Sequence, residues 1–534
     1  MNQRFVCEKQ ETQTCRGMDV SSVTVSTVAL SLVTLTLLIW TWQMLNRFWL
    51  RPKKLERLLR QQGLQGNSYK FLVGDAKLLM KMIKEAKSKP IHISEDIVPR
   101  VLPLPHLSVQ KYGKNGFTWL GTIPMVTIMD PEKVKHILTK MRDFPKHKHP
   151  VVKLIGTGVA NYEGEKWAKH RKIIDPIFNL EKIKLMLPTF YNSCIDMVGQ
   201  WEEMASANGS CELDVWPFLV NLSRDVISRS AFGSSYEEGR RIFELLEELI
   251  EVVFKGIQSI PLLRYLPTAS NRRTKAMATE IEQLLKGIIK KKEKAMKDGK
   301  ASKNDLLSTL LESNRKIIEE DGKGEDSGMS ISDVLEECKL FYIAGQETVS
   351  SLLVWTMVLL SRYPNWQEQA RDEVVQVLGN QKPDFKGLNN LKIVTMILYE
   401  VLRLYSPLIS VSRVVHKKTQ LGELSLPAGV GVSMPILMIH RDPKIWGDDA
   451  KEFNPGRFSE GVVKATKGQN AFFPFGWGPR ICIGQNFGLQ EAKMVLSVIL
   501  QRFSFELSSS YTHAPTSLFF LYPQHGAHLV LHKL

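Results

Sequence analysis

The sequence predicts a mainly α-helical protein with small β-sheets, placed behind a single N-terminal transmembrane helix. Three observations support this class. Residues 20–46 contain no charged side chain, helical periodicity dominates the rest of the chain, and the runs typical of β-strands are short. We expect these strands near residues 117–128, 411–415 and 529–531.

The uncharged N-terminal segment is predicted to cross a bilayer. As a helix it extends over about 40 Å, which is enough to span the hydrocarbon core. Basic residues cluster between positions 47 and 60, whereas the few basic residues before the segment are offset by Glu8 and Glu11. This asymmetry places the C-terminal body in the cytosol. We therefore expect the glycosylation sequons at Asn208 and Asn221 to stay unused.

The chain has 534 residues, of which 43% are hydrophobic, so it can bury a large core. No linker rich in proline, glycine or serine divides the chain after about residue 70. We predict a short lumenal N-terminus over 1–19, the anchor over 20–46, a basic linker over 47–70 and one cytosolic domain over 71–534.

The composition also restricts the classes of partner. The net charge is +16, but no platform of alternating basic and aromatic residues indicates a nucleic acid. An excess of basic residues beside an anchor suits anionic membrane lipids or an acidic protein partner. The apolar segment 260–266 is compatible with two positions, in the membrane surface or in the protein core. Six widely spread cysteines predict neither disulfides nor a zinc site, which suits a reducing compartment.

Residues 475–484, FGWGPRICIG, are the most informative segment. Gly476 and Gly478 permit a tight turn, and Arg480 offers a planar cation suited to a carboxylate. Backbone N–H groups of such a loop can stabilise a thiolate at Cys482. An isolated cysteine is more often a buried apolar residue, but the specified positions of F-x-x-G-x-R-x-C-x-G have no packing rationale.

A long helix is the second informative feature. An exposed loop over 321–328 precedes a capping box formed by Ser330 and Asp333, and no proline follows until Pro364. This spacing predicts a helix of roughly thirty residues, about 50 Å long. Shorter helices are predicted near 391–404 and 486–503.

The middle of the long helix contains the pattern A-G-Q-E-T. A glycine at position 345 costs about 1 kcal/mol relative to alanine, which indicates that something approaches the backbone closely. Thr348 can return its hydroxyl to the carbonyl of Ala344, and Glu347 can relay protons from water. The alternative is an ordinary polar face of a helix.

Three further patterns are weaker alone. Glu400 and Arg403 have the E-x-x-R spacing that places opposite charges on one helical face. Arg457 lies in P-x-R-F, and Trp167 with Arg171 forms W-x-x-x-R. No metal-ligand spacing surrounds His170, His416 or His440, so these histidines are interpreted as structural or solvent-facing.

In chain order, W-x-x-x-R, A-G-Q-E-T, E-x-x-R, P-x-R-F and the cysteine loop resemble the cytochrome P450 family. The resemblance covers nearly everything after the anchor. It is closest to a plant branch that includes secologanin synthase and the legume oxidases of oleanane triterpenoids. The stretches that carry it include RLLRQQG (57–63), KWAKHRKII (166–174), EECKLF (336–341), GPRICIGQN (478–486) and AHLVLHKL (527–534).

The resemblance implies a P450 fold that binds haem b (iron protoporphyrin IX), with Cys482 as the thiolate ligand of the iron. It implies proton delivery by Glu347 and Thr348. The other cofactor-binding residues that it implies, several of them contacts of the haem propionates, are Trp167, Arg171, Ala344, Gly345, Arg413, Phe475, Arg480 and Gly484.

The resemblance also implies a buried charge network of Glu400, Arg403 and Arg457 that holds the cysteine loop. Removing one partner of such a network costs roughly 3–5 kcal/mol. Gly456 stands where an acidic residue is usual, which predicts a thinner network here. Ser406 replaces the first proline of the usual Y-P-P, so the substrate-facing turn after Arg403 can differ and this motif does not identify the substrate.

The implied function is an NADPH- and O2-dependent monooxygenase in the endoplasmic reticulum membrane. The chain has no flavin or nicotinamide fingerprint, so a separate NADPH–cytochrome P450 reductase would supply the electrons. The segments 148–159, 408–411 and 517–521, together with the long helix around Ala344, predict an apolar small-molecule substrate.

The preferred substrate is a pentacyclic, oleanane-type triterpenoid. An iridoid of the secologanin type and a gibberellin-type diterpenoid are the alternatives. Two other classes remain open, a haem-thiolate isomerase or dehydratase and a non-catalytic haem protein, although the pair of Glu347 and Thr348 argues against both.

Overall fold

The structure, a computed structural model, describes residues 8–147, 155–205, 209–234, 236–257, 268–299, 305–321 and 328–534. Part of the predicted substrate segment (148–154), Asn208, the apolar segment 260–266 and most of the predicted loop (322–327) lie outside these ranges.

The described helices are α1 (Glu8–Leu45), α2 (Arg51–Gln61), α3 (Ala76–Ser88), α4 (Val98–Val101), α5 (Pro103–Tyr112), α6 (Pro131–Thr139), α7 (Gly158–Asn161), α8 (Gly164–Ile174), α9 (Leu180–Ala205), α10 (Val215–Phe232), α11 (Tyr236–Ile257), α12 (Ala269–Lys297), α13 (Leu306–Asp321), α14 (Ile331–Arg362), α15 (Pro364–Leu378), α16 (Phe385–Asn390), α17 (Lys392–Leu404), α18 (Ile436–Ile439), α19 (Pro443–Trp446), α20 (Val462–Ala465) and α21 (Gln485–Arg502). A π-helical turn (Asn46–Leu50) and 3₁₀ turns (Asp175–Phe178, Pro455–Phe458, Gly478–Arg480) complete the helical elements. The strands are β1 (Phe117–Leu120), β2 (Ile123–Thr127), β3 (Ser210–Asp214), β4 (Val411–Val414), β5 (Thr419–Leu421), β6 (Leu424–Leu426), β7 (Gly431–Met434), β8 (Phe503–Leu507), β9 (Pro515–Ser517), β10 (Leu521–Pro523) and β11 (His528–Lys533).

The N-terminal helix is longer than the predicted anchor. Helix α1 begins at Glu8, inside the segment predicted as lumenal, and continues through the π-helical turn into α2. The stretch from Thr27 to Gln61 is long and apolar enough to cross a membrane, and none of its apolar window is buried against the protein. Helix α14 passes the same test by length and composition, but 72% of its window is buried, as in a core helix.

Helix α14 is the central helix of the domain and confirms the predicted long helix. The Ser330 hydroxyl accepts a hydrogen bond from the Asp333 N–H at 3.2 Å, and the Asp333 carboxylate accepts one from the Ser330 N–H at 3.2 Å. This reciprocal pair is the predicted capping box. The helix ends at Arg362, before Pro364, and packs against α10, α17, α21 and β8.

The β-strands of the described residues form four small sheets. The largest has the order β1-β2-β7-β4, in which β2 and β7 are parallel and the other neighbours antiparallel. A second sheet has the order β3-β11-β8, and β9 with β10 and β5 with β6 form two-stranded pairs. The three predicted strand regions therefore correspond to β1 with β2, to β4 and to β11.

Gly345 allows α14 to approach α10 closely. A Cβ atom at this position would lie 2.6 Å from Ile227 Cγ1 and 2.7 Å from Ile227 Cδ1. Real Cβ atoms do not approach carbon atoms to such distances, so a larger residue would force the two helices or Ile227 to shift. The expected close approach to Gly345 therefore comes from a packed side chain, in addition to the cavity described below.

We expect Gly345→Ala to lower the melting temperature. Overpacking of this kind costs about 1–3 kcal/mol, more than the helix propensity that alanine gains. In an Ile227→Ala background the same substitution should cause no further loss, because the clashing atoms are gone. Thermal unfolding followed by circular dichroism measures both effects.

The matched control is Gly287→Ala in α12, where a Cβ atom would meet nothing within 4 Å. This variant should be neutral or slightly stabilising, since it adds only helix propensity. Equal losses for Gly345→Ala with and without Ile227 would contradict the packing explanation.

Candidate active site

The loop around Cys482 is closed by its own backbone. Gly476 and Gly478 adopt φ values of 77° and 71°, in the left-handed region that favours glycine. The Cys482 N–H donates a hydrogen bond of 2.8 Å to the carbonyl of Phe475. This bond closes the loop into a compact turn just before α21 begins at Gln485. Both predicted glycine roles are confirmed, and Phe475 acts on the loop through its carbonyl.

The loop is seated on α6. A Cβ atom at Gly478 would lie 3.2 Å from the Leu138 carbonyl oxygen and 3.3 Å from Thr139 Oγ1. Gly478 is therefore constrained twice, by its left-handed backbone and by the end of α6. The contact determines where the 3₁₀ turn carrying Arg480 begins.

A cavity lies above Cys482, between the loop and α14. Its empty space is ≈ 930 Å³, part of which is open to solvent. The predicted site residues that line it are Trp167, Arg171, Ala344, Gly345, Thr348, Arg480, Cys482 and Gly484. Three others, Glu347, Arg413 and Phe475, are absent from the lining.

Several lining residues fall in segments that the sequence already indicated: Val159 ends the predicted segment 148–159, and Leu340, Phe341 and Val349 belong to the long helix around Ala344. The lining residues that sequence reasoning missed are Lys146, Ala160, Phe178, Ile227, Ile481, Ile483, Phe487 and Gly488. Most of these are apolar, and an apolar residue type does not indicate which cavity its side chain faces. The predicted segments 408–411 and 517–521 contribute nothing to the lining of this cavity.

The two arginines at the cavity differ in how far they are already paired. Arg171 donates a hydrogen bond of 2.9 Å to the Ile481 carbonyl and forms an ion pair of 2.7 Å with Asp175. Arg480 donates to the Glu163 carboxylate at 2.6 Å and stacks over Trp167, with its Cζ atom 4.7 Å from the ring centroid. Its buried Nη1 atom has no hydrogen-bond partner among the residues that the structure describes.

Lys146 adds a third cation near Arg480. Burial, together with the nearby charges of Arg413 and Arg480, lowers the pKa of the Lys146 ammonium to about 7. Burial and Arg480 likewise lower the pKa of Arg413 to about 10. Glu163 is the carboxylate that offsets these charges, so the cluster is short of negative charge and suits an anionic ligand. Arg413, expected by resemblance to bind the cofactor, thus lies close to Arg480 and Lys146 without lining the cavity.

A flat cofactor that carries two carboxylates, such as haem, fits this arrangement. The lining includes two residues of the cationic cluster, Lys146 and Arg480, together with Cys482 of the loop and Ala344 and Gly345 of α14. A Cβ atom at Gly484 would meet only Phe178 Cε1, at 4.0 Å, so the protein leaves the space beside the thiol free.

Cys482 is suited to bind a metal only as a thiolate. Burial raises the pKa of its thiol, whereas the backbone N–H of Gly484 and the charge of Arg171 lower it. A bound cation would favour the thiolate further, since a coordinating thiol loses its proton. Within the described part of the chain, no cluster of three histidine, cysteine or acidic side chains competes as a metal site.

Thr348 has the predicted geometry. Its hydroxyl donates a hydrogen bond of 2.7 Å to the Ala344 carbonyl, and its side chain lines the cavity. Glu347 lies outside the lining, where its carboxylate accepts a hydrogen bond of 2.9 Å from the Gln346 amide. Burial and the neighbouring Glu247 raise the pKa of Glu347 to about 7, against the opposing charge of Arg224. A carboxyl group with this pKa can both donate and accept protons near neutral pH.

The predicted charge network is present and fully buried at its centre. Arg403 forms two hydrogen bonds of 2.7 Å with the Glu400 carboxylate, and both side chains have 0% exposure. Arg457 joins at 3.2 Å from Glu400. The prediction of a thinner network is wrong, because Asp449 contacts Arg457 at 2.8 Å and supplies the acid that Gly456 lacks.

The histidines are structural, as predicted, where the structure describes their contacts. His170 Nδ1 lies 2.6 Å from the Glu337 carboxylate, and both side chains are buried. His440 Nε2 accepts a hydrogen bond of 2.9 Å from the Phe473 N–H. Neither histidine lines the cavity.

Comparisons with known proteins agree with this geometry. The family model for Cytochrome P450 matches residues 106–529. The chain is 59% identical to cytochrome P450 72A397 of Kalopanax septemlobus, over 93% of this chain and 96% of that protein. It is 54% identical to cytochrome P450 72A68 of Medicago truncatula (97% and 100%) and 55% identical to 11-oxo-beta-amyrin 30-oxidase of Glycyrrhiza uralensis (95% and 98%).

The raised pKa of Glu347 predicts a pH-dependent effect of Glu347→Gln. In the unfolded chain this carboxyl loses its proton near the ordinary value of 4.5, but in the folded protein only near 7. Between these values the native protein therefore loses stability as the pH rises, by up to about 3 kcal/mol. Glu347→Gln removes this loss.

The measurement compares melting temperatures of the native protein and Glu347→Gln at pH 5 and pH 8. The advantage of the variant should be larger at pH 8. Glu368→Gln, at an exposed position of α15, is the control and should show no such trend. If the difference in melting temperature between the native protein and Glu347→Gln did not change with pH, the raised pKa of Glu347 would be refuted.

Proposed function

The chain belongs to the cytochrome P450 family, and on this premise we propose that it oxidises an apolar plant terpenoid, preferably a pentacyclic, oleanane-type triterpenoid. Family membership confirms the expectation of a haem-thiolate monooxygenase. The observation that carries the finer proposal is the apolar cavity directly above Cys482, taken with the high identity to an enzyme named for oxidation of 11-oxo-beta-amyrin.

Haem, when bound, activates O2 for insertion of one oxygen atom into an unactivated C–H bond. In this proposal Cys482 would hold the iron. Arg480 and Lys146 would bind the propionates, since the buried Nη1 of Arg480 has no hydrogen-bond partner among the described residues and Lys146 lies in a cluster with an excess of positive charge. Ala344 and Gly484 would leave room for the ring, whereas Ile227 fills the space beside Gly345.

Thr348 and Glu347 divide the delivery of protons. The Thr348 hydroxyl lies at the cavity and donates its proton to the Ala344 carbonyl, so its oxygen can accept a hydrogen bond from the cavity side. Glu347 lies beside it and, with a pKa of about 7, can take protons from the side of Arg224 and Glu247 and release them toward the cavity. An isomerase or a non-catalytic haem protein would have no use for this pair.

The lining of the cavity supports an apolar substrate. Val159, Ile227, Leu340, Phe341 and Val349 contribute aliphatic and aromatic surface, which binds a water-insoluble polycyclic ligand by excluding water. Charged lining residues are concentrated at the end assigned to the propionates. An iridoid glucoside, which is rich in hydroxyl groups, suits such walls less well.

We further propose that the protein is held in the endoplasmic reticulum membrane and receives electrons from an NADPH–cytochrome P450 reductase. The exposed apolar helix before the domain supports the anchor. Exposed Lys140 and Arg142 lie just after α6, against which the cysteine loop packs, and they suit an acidic partner.

The experiment that tests the function expresses the full chain with a plant reductase and supplies a terpenoid panel. The panel contains β-amyrin and its oxidised derivatives, an iridoid glucoside and a gibberellin precursor, with products read by mass spectrometry. We expect oxidised products from the triterpenoids. Cys482→Ser is the matched negative control and should lose both turnover and the red-shifted Soret band of the reduced carbon monoxide complex. Oxidation of another class alone would overturn the triterpenoid proposal.

Thr348→Ala should uncouple O2 consumption from product formation. This substitution removes the hydroxyl that hands protons to the cavity. We therefore expect about 10- to 100-fold less product per NADPH consumed, with hydrogen peroxide released instead. Thr356→Ala is the control, because Thr356 makes the same type of hydrogen bond, 2.7 Å to the Leu352 carbonyl, in the buried part of α14. Equal coupling in both variants would refute the role of Thr348.

A further inference from the structure

Two consecutive glutamates of α14, which have no role in the site described above, bind the backbone of residues 155–161. Glu336 Oε2 accepts hydrogen bonds from the Thr157 N–H at 2.6 Å and from the Thr157 hydroxyl at 2.8 Å. Glu337 Oε2 accepts one from the Val159 N–H at 2.9 Å. We call residues 155–161, with these contacts, the clamped segment.

The carboxylate of Glu337 is held from its other side as well. Its Oε1 atom lies 2.6 Å from His170 Nδ1, and both side chains have 0% exposure. Gly158 adopts a φ of +34°, and a Cβ atom there would lie 2.8 Å from Glu337 Oε2. The clamped segment therefore approaches the carboxylate so closely that only glycine fits, and neither partner has room to move.

The clamped segment is one wall of the cavity. Val159 and Ala160 line it, and so do Leu340, Phe341 and Ala344 of α14. The last three follow Glu337 at three, four and seven positions, which places them on the same helical face. One face of α14 thus forms a wall of the cavity and, nearer its N-terminus, binds the adjoining wall that the clamped segment provides.

The hydrogen bonds of Glu336 and Glu337 to the clamped segment do more than connect two helices. Lys166 of α8 already pairs with Asp333 of α14 at 2.6 Å, so α8 and α14 are joined without it. The glutamates instead satisfy backbone N–H groups at the N-terminus of the short helix α7, which have no partner within the helix and need one when water is excluded. The positions of these acceptors therefore decide the conformation of the segment.

We propose that Glu336 and Glu337 are positioning residues that set the width of the substrate cavity through residues 155–161, and that they determine which bulky ligand the cavity accepts. They do not touch the reacting atoms. The proposal rests on the proposed function for the location of the substrate, but not for its identity as a triterpenoid.

The test uses two azoles that bind haem iron in the full-length protein. Imidazole needs little space, whereas clotrimazole, an imidazole with three aryl rings, must contact the cavity walls. For Glu336→Ala and Glu337→Ala we expect the Kd of clotrimazole to rise about tenfold or more, with the Kd of imidazole changed less than about twofold. The glutamine variants at both positions keep an acceptor oxygen and should restore tight clotrimazole binding.

The control is Glu368→Ala on the exposed face of α15, which should leave both azoles unaffected. If Glu337→Ala fails to fold, Glu336→Ala and Gly158→Ala decide the matter, since a Cβ atom at Gly158 forces the segment away from the carboxylate. Parallel weakening of both azoles, or unchanged clotrimazole binding in folded variants, would overturn the proposal. The affinities for the two azoles do not depend on terpenoid turnover. Failure of this proposal can therefore be distinguished from failure of the triterpenoid proposal.

Discussion

The buried pair of Glu400 and Arg403 is the interaction on which the rest of the site depends. Both side chains are fully buried, and Arg403 also donates to the carbonyls of His440, Ala450 and Glu452. A cation that is removed from water must satisfy all its donors, so these carbonyls have one permitted arrangement. They belong to the chain that leads into the cysteine loop. Through this network α17 fixes the approach to the sulfur without touching the cavity.

A second constraint is the excess of positive charge beside Trp167. Burial and the charges of Arg413 and Arg480 lower the pKa of Lys146, and Arg480 contributes to lowering the pKa of Arg413, while Glu163 opposes these shifts. Such a cluster is costly without an anion. The cluster therefore suits a ligand whose carboxylates pair with these cations and whose metal binds the sulfur of Cys482. The apolar remainder of the cavity and the clamped segment then leave shape, rather than charge, to select the substrate.

Patterns confined to one element were predictable. The capping box at Ser330, the bond from Thr348 to Ala344 and the glycine turns of the cysteine loop each depend on residues within a few positions of one another. Contacts between elements could not be predicted from local patterns, and the one predicted contact, between Glu400 and Arg457, came from the family resemblance. Asp449 replaces the acid missing at Gly456, and Lys146 joins Arg480 across more than three hundred residues. No local pattern distinguishes these two side chains from solvent-exposed ones.

The sequence by itself determined the helical class, the apolar N-terminal helix, the family and the cysteine loop, because periodicity, charge asymmetry and short-range motifs act over neighbouring residues. Only the tertiary structure decided which cations lie close together, that Glu347 lies outside the cavity lining while Thr348 belongs to it, and that two glutamates hold a neighbouring segment of the wall. Those outcomes depend on burial and on distances between remote segments, and both arise only when the helices pack.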